Sequence, residues 1–297
     1  VNVWRIFEAA LFIRFLVPDF VEAGIPDHNV GLVMSTVSDV IAFLECVAPP
    51  ALAEDWDNVG LLVGRRDSVV QNVLTCLTLT PDVAEEVIRK NVQMVVTHHP
   101  VLFRGAKKIC DATVEGRMLL RLVENKVAVY SPHTSFDSAA GGINQQLAES
   151  FGLKSVKPIR PLPEDAALGG GRWGILQKGG LLAEFLSTVK AAVCADYLQF
   201  TGTADAAVFR VAVACGAAAG FMQDSIRLGC DTFVTGEARF HSAVEARAEG
   251  INLILLGHYS SERPAVESLA EVIQRKFPTA KVFVSLQETD PLSVFVQ

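Results

Sequence analysis

The stretch Val92-Gln93-Met94-Val95-Val96 runs into Thr97-His98-His99-Pro100, and it constrains the fold more than any other feature of the chain. A short, nearly apolar run bounded by polar turn residues reads as a strand buried on both faces, and such strands need helices to cover them. Comparable runs occur at Leu61–Val63, Asn72–Leu79, Val127–Tyr130, Val208–Ala214, Asp231–Val234 and Ile251–Leu256. Helical patterns separate them. Ser38 and Asp39 are expected to cap a helix through Cys46, which Pro49 and Pro50 end. Thr80-Pro81-Asp82 opens a second through Arg89, with proline at the tolerated first position. Val114–Asn125 places Met118, Leu119, Leu122 and Val123 at three- and four-residue spacings. Further helices are expected after Gly142, at Leu181–Val193, around Glu237 and His241, and at Ser261–Phe277. The alternation predicts an α/β fold with helices covering the sheets.

The chain has 297 residues, enough for one large or two medium domains at roughly 150 residues each. Leu153–Gly171 is the candidate boundary, with three prolines between Lys157 and Pro163 followed by Gly169-Gly170-Gly171. The expected division is a first α/β lobe over 34–160 and a second over 161–297. Met34 begins a segment that reads like an ordinary protein start, so residues 1–33 are expected to be an upstream extension.

Half of the residues are hydrophobic and 20% are charged, which excludes intrinsic disorder. A net charge of −7 argues against a dedicated nucleic-acid site, whose affinity comes from basic side chains on phosphates. Every hydrophobic stretch is interrupted short of the about 18 residues a membrane span needs. Arg5, Glu8, Arg14 and Asp19 break up the apolar N-terminal stretch, which makes it a poor signal peptide. A cytoplasmic location is expected. Cys46, Cys76, Cys110, Cys194, Cys215 and Cys230 are scattered without a Cys-x-x-Cys pair, and read as buried free thiols in a reducing compartment.

Of six histidines, His98, His99 and His258 directly follow buried-strand candidates and His133 lies two residues beyond one. Ligands of open α/β sheets bind outside the carboxyl ends of strands. A single histidine there is ordinarily a core residue bonded to backbone, whereas four at strand ends point to a metal or catalytic site. Pro100 is expected to force a turn that splays His98 and His99 towards one site. In Gly257-His258-Tyr259-Ser260-Ser261-Glu262 a serine is expected to cap the next helix, with Glu262 in its first turn beside His258. Asp137, in His133-Thr134-Ser135-Phe136-Asp137, adds a hard oxygen. Three imidazoles and two carboxylates (His98, His99, His258, Asp137 and Glu262) suit two divalent cations, with zinc, iron, manganese or magnesium as candidates. His133, Glu237 and His241 are candidates for proton transfer or for orienting the ligands.

These motifs resemble those of the NGG-interacting-factor-three-like, or dinuclear metal-centre, proteins, whose bacterial members carry the name of type-two GTP cyclohydrolase I homologues. The likeness runs from about Thr36 to the C-terminus. It rests on Asp55-Trp56-Asp57-Asn58-Val59-Gly60, Thr97-His98-His99-Pro100, His133 to Asp137, Gly171-Arg172-Trp173-Gly174, Thr235-Gly236-Glu237 and Gly257 to Glu262. The resemblance implies two similar α/β lobes with mixed sheets covered by helices, a dinuclear metal site between them, and a homohexamer. It implies that His98, His99, Asp137, His258 and Glu262 bind the two metals, with Glu262 bridging. Ser135-Phe136 departs from the Asn-Leu often found there, and the short spacing from Leu153 to Val208 implies that a mid-chain domain of longer members is missing. The activity so implied is metal-dependent hydrolysis of a small molecule, GTP or another nucleotide. The alternative is a metal-bearing scaffold or regulatory partner without turnover.

Overall fold

The computed structural model describes residues 34–295, so the expectation for residues 1–33 lies outside the described residues. Helix α1 (Val37–Val47) packs Val37, Val40, Ile41 and Leu44 inward. It is capped by Thr36 rather than by Ser38 or Asp39. The Thr36 side chain accepts the Asp39 N–H and the Asp39 carboxylate accepts the Thr36 N–H, a reciprocal box that starts the helix one residue after Thr36. A single 3₁₀ turn follows at Pro50–Leu52.

The first sheet is built from β1 (Gly60–Val63), β2 (Asn72–Thr78), β3 (Met94–His99) and β4 (Ala128–Ser131). Helix α2 (Pro81–Arg89) joins β2 to β3, and α3 (Val114–Glu124) joins β3 to β4. Helices α4 (His133–Ser138) and α5 (Ile143–Ser150) then lead to the second sheet. That sheet takes β5 (Lys154–Lys157) and, after a small ribbon of β6 (Arg160–Pro161) with β7 (Gly169–Gly170), the long strand β8 (Arg172–Leu181). Next come α6 (Leu182–Ala192), β9 (Gln199–Phe200), β10 (Ala207–Ala214), α7 (Met222–Arg227), β11 (Thr232–Thr235), α8 (Phe240–Glu249) and β12 (Asn252–Leu255). The chain closes with α9 (His258–Lys276) and β13 (Lys281–Val284).

Strand order is β1-β4-β3-β2-β13 in one sheet and β5-β8-β10-β11-β12-β9 in the other. Both are mixed. Strands β4, β3, β2 and β13 run parallel with β1 antiparallel at the edge. Strands β10, β11 and β12 run parallel, flanked by antiparallel β8 and β9. From beyond the expected division at 160/161, β13 returns to pair with β2, and β5 joins the second sheet from before it. The largest apolar cluster unites both sheets: Met94, Val96 and Tyr130 from the first share it with Val211, Val213 and Ile254 from the second. Helices α2 and α3 cover the outer face of the first sheet through Val83, Val87, Leu119 and Leu122. Ala246 of α8 and Met222 of α7 cover the outer face of the second.

Two boundaries differ from expectation in ways that shape the site. Strand β3 continues through His98 and His99, because Thr78 of β2 still pairs with His99, and only Pro100 ends it. Its ladder with β4 stops at Tyr130, beyond which the Ser131 hydroxyl donates to the His98 carbonyl. Helix α9 begins at His258 rather than after Ser261. Gly257, at φ +85°, makes the turn no side-chain residue makes cheaply, and the Ser261 hydroxyl donates to the His258 carbonyl inside the helix. His258 and Glu262 therefore lie one turn apart on one helix face. Strand β8 was not expected, since Gly174, Gly179 and Gly180 mask its pattern. Among the described residues all six thiols are free, but Cys46, Cys110 and Cys194 are exposed rather than buried. No described helix is long and apolar enough to cross a membrane.

Candidate metal centre

The parallel strands of both sheets end at one cleft of about 530 Å³. His99 comes from the end of β3, His133, Thr134 and Asp137 from the helix after β4, Cys215 and Gly216 from the end of β10, and His258 and Glu262 from the helix after β12. Helices and strands therefore hold the polar groups, and each sheet supplies some of them.

Glu262 lies at the centre, only 4% exposed. One carboxylate oxygen, Oε2, is 2.9 Å from His99 Nε2 and 3.1 Å from His258 Nε2. The other, Oε1, faces His98 Nε2 at 3.9 Å, and His98 Nε2 is 3.6 Å from Asp137 Oδ1. The two imidazole nitrogens of His99 and His258 come within 3.3 Å of one another. His99, His258 and Glu262 could together hold a metal ion, as could His98, His99 and His133. Gly216 makes this possible. Its φ is +62°, and a Cβ there would fall 2.3 Å from Glu262 Oε1.

The far nitrogens are held in turn. His99 Nδ1 is 2.7 Å from Thr78 Oγ1, His258 Nδ1 is 3.1 Å from Glu237 Oε1, and His133 Nδ1 is 2.7 Å from Asp57 Oδ1. Such outer partners fix the tautomer and point Nε2 inward, as metal-ligating imidazoles require. His98 is the exception. It is 2% exposed, and among the described residues neither of its ring nitrogens has a hydrogen-bond partner. Buried polar atoms are otherwise almost always paired. An unpaired imidazole facing two carboxylates suits a cation between them, so the donor set fits divalent metal.

Charge follows the same layout. Burial pushes His98 down to about 3 against the pull of Glu262, so its ring is neutral with a lone pair to give. Burial, reinforced by the Glu262 charge, pushes Asp137 up to about 7. Burial would raise Glu262 too, but hydrogen bonds from His258 and His99 carry it well below the usual carboxylate range. The hydrogen bond to Glu262 outweighs burial at His258 and lifts it to about 9. Asp57, despite burial, is held at about 2 by His133 and Thr134. His133 itself adopts φ +28°, an uncommon conformation that the Asp57 contacts hold in place.

A sequence pattern describing the Duf34/NIF3 (NGG1p interacting factor 3) family matches residues 35–291. The chain belongs to this family. It is 31% identical over 256 residues to a Clostridium perfringens protein named GTP cyclohydrolase 1 type 2 homolog, covering 86% of this chain and 98% of that one. It is 32% identical over 266 residues to the Schizosaccharomyces pombe protein NIF3 homolog, covering 84% and 95%. The crystal structure of a Bacillus cereus protein related to NIF3 superposes with a TM-score of 0.83 at 21% identity, over 89% of this chain and all of that one, a likeness of fold.

Within this NIF3 fold, His98, His99, Asp137, His258 and Glu262 are brought together, with His133 beside them. The Glu237 carboxylate reaches the cluster through His258, and its backbone N–H donates to the Gly216 carbonyl. His241 is not brought there: it lies exposed on α8, its ring edge-on to Phe240. Thr78, Asp57 and Cys215, whose thiol donates to Asp137 at 3.3 Å, were not singled out by the sequence. The signal that could have found Asp57 is its place in Asp55-Trp56-Asp57-Asn58. Nothing distinguishes Thr78 before β2 and β3 are paired. Arg172 of the Gly-Arg-Trp-Gly motif is 1% exposed and donates to the carbonyls of Ser138, Ala139, Gly169 and Gly171, clamping the Asp137 helix to the cleft floor.

Proposed function

We propose that the chain is a dinuclear metal-dependent hydrolase acting on a nucleotide, with His98, His99, Asp137, His258 and Glu262 holding two divalent cations. The observation that carries this reading is the carboxylate of Glu262, one oxygen turned to His99 and His258 and the other to His98 and, beyond it, Asp137. Divalent cations so held would supply a nucleophilic water at neutral pH and would polarise the bond under attack.

The chain's own residues do the rest. Asp57 holds His133 Nδ1 and leaves its other nitrogen for proton transfer at the cleft. Glu237 orients His258 through Nδ1. His241 has no part in this reading. Trp56 and Phe103, 59% and 49% exposed with ring centroids 5.9 Å apart, form an aromatic wall beside His133. Phe221, backed by the Arg160 guanidinium at 4.1 Å, lines the cleft from the other sheet. Among the described residues no lysine or arginine lines the cleft, so recognition there falls to stacking on a planar ring. A guanine base fits that chemistry, and the name of the Clostridium perfringens relative carries GTP; the reaction we propose is hydrolytic opening of the guanine ring at C8 with release of formate.

Purified protein assayed with GTP and other nucleotides, with zinc, manganese or iron, tests this. Formate release that vanishes in Glu262→Gln supports the enzyme. Silence across the panel by metal-loaded protein would favour a metal-bearing scaffold.

A further inference from the structure

Beyond β13 the chain folds back as a strap over the end of β2. Ser285 and the backbone N–H groups of Leu286 and Gln287 are tied to the buried carboxylate of Glu86 on α2. Glu288 then turns inward and is 8% exposed. Its carboxylate accepts the Leu77 N–H at 2.9 Å and the Thr78 N–H at 2.5 Å, and lies 3.1 Å from Arg263 Nε. Pairing of β13 with β2 stops at Thr75, so Leu77 and Thr78 lack a strand partner on that side. The Glu288 side chain stands in for the missing strand.

Thr78 is also the residue whose Oγ1 lies 2.7 Å from His99 Nδ1. An imidazole that ligates through Nε2 carries its proton on Nδ1, and the acceptor for that proton fixes ring orientation and basicity. We infer that Glu288 is a positioning residue for His99: by holding the last two amides of β2, it places the Thr78 hydroxyl that aims His99 at the metal site. The inference rests on the metal reading above. A carboxylate from the C-terminal strap thereby connects the end of the chain to the centre of the cleft, through one backbone position and one hydroxyl.

Glu288→Gln keeps the size of the side chain but replaces one acceptor oxygen with a donor facing a backbone N–H. The test is zinc titration of the full chain, with thermal melting run alongside. Wild-type protein should bind two zinc ions, and Glu288→Gln should weaken one of them by about 10–100-fold while leaving the other within about twofold. Thr78→Val should produce the same selective loss, Thr78→Ser should restore it, and adding Glu288→Gln to Thr78→Val should cost no further affinity, since both act through one contact. Zinc affinities unchanged in Glu288→Gln beside a lowered melting temperature would overturn the inference and leave the strap purely structural. Losses that multiply in the double variant would overturn it too. Wild-type protein that takes up no zinc would overturn the metal reading itself, and this inference with it.

Discussion

His258 and Glu262 stand one turn apart at the start of α9, with Nε2 3.1 Å from Oε2. The helix fixes their spacing, and everything else in the site is arranged around that pair. Strand β3 and the helix after β4 bring His98, His99 and Asp137 to it, and Gly216 leaves it room.

Gly216→Ala should disable the site without unfolding the protein. Its Cβ would meet Glu262 Oε1 at 2.3 Å, and its φ of +62° disfavours any side chain. The backbone cost is about 1–2 kcal/mol, which a folded chain tolerates. Zinc affinity should fall at least about tenfold, measured by titration, while circular dichroism remains that of the native fold.

Asp57→Asn should separate proton transfer from metal binding. Asp57 holds His133 through Nδ1 and also accepts from the N–H and hydroxyl of Thr134. With an amide there, the hydrolytic rate should drop by about 10–100-fold at unchanged zinc content. Metal lost in proportion to activity would show that Asp57 supports the ligands instead.

Arg172→Met should be among the most destabilising single changes in the chain. The guanidinium satisfies four carbonyls and the Gln145 side chain. A thioether donates to none of those acceptors, and of the Ala139 carbonyl's two bonds only the one from the Gly142 N–H remains, at a cost of about 3–5 kcal/mol. Calorimetry should register a melting temperature lower by roughly 10 °C.

Glu86 makes a pH prediction. Burial pushes its carboxyl up, but the Lys90 ammonium, the Ser285 hydroxyl and the Leu286 N–H outweigh burial and hold it below its ordinary 4.5. A group depressed in the folded state contributes stability that is complete above its unfolded value and is lost as pH falls through the folded one. Glu86→Gln should therefore be less stable than wild type at neutral pH, and the gap should narrow between about pH 5 and pH 3. Urea denaturation across that range measures it, and a gap that stays constant would contradict the assignment.

Much of this was legible before the fold was known. The buried parallel strands announced themselves as apolar runs, because both faces of β3, β10 and β11 are covered. His98, His99, His258 and Glu262 could be picked out because the strand ends of an α/β sheet are where ligands gather. What stayed hidden depends on pairing between distant segments. Strand β8, rich in glycine, is a strand because β10 and β5 flank it. Strand β13 belongs to the first sheet only because β2 has a free edge. Thr78 and Glu288 are ordinary residues until β2 lies beside β3 and the C-terminal segment folds back onto the end of β2. His241 shows the converse, since its place near a promising motif gives no hint that α8 carries it on an exposed face away from the cluster.

The central claim is that both oxygens of the Glu262 carboxylate serve a pair of cations, and metal stoichiometry tests it most directly. Protein reconstituted with zinc, freed of loosely held ions and subjected to elemental analysis should retain two ions per chain, and Glu262→Ala should retain none tightly. Wild-type protein without bound metal, or a Glu262→Ala protein that keeps both ions, would contradict the account.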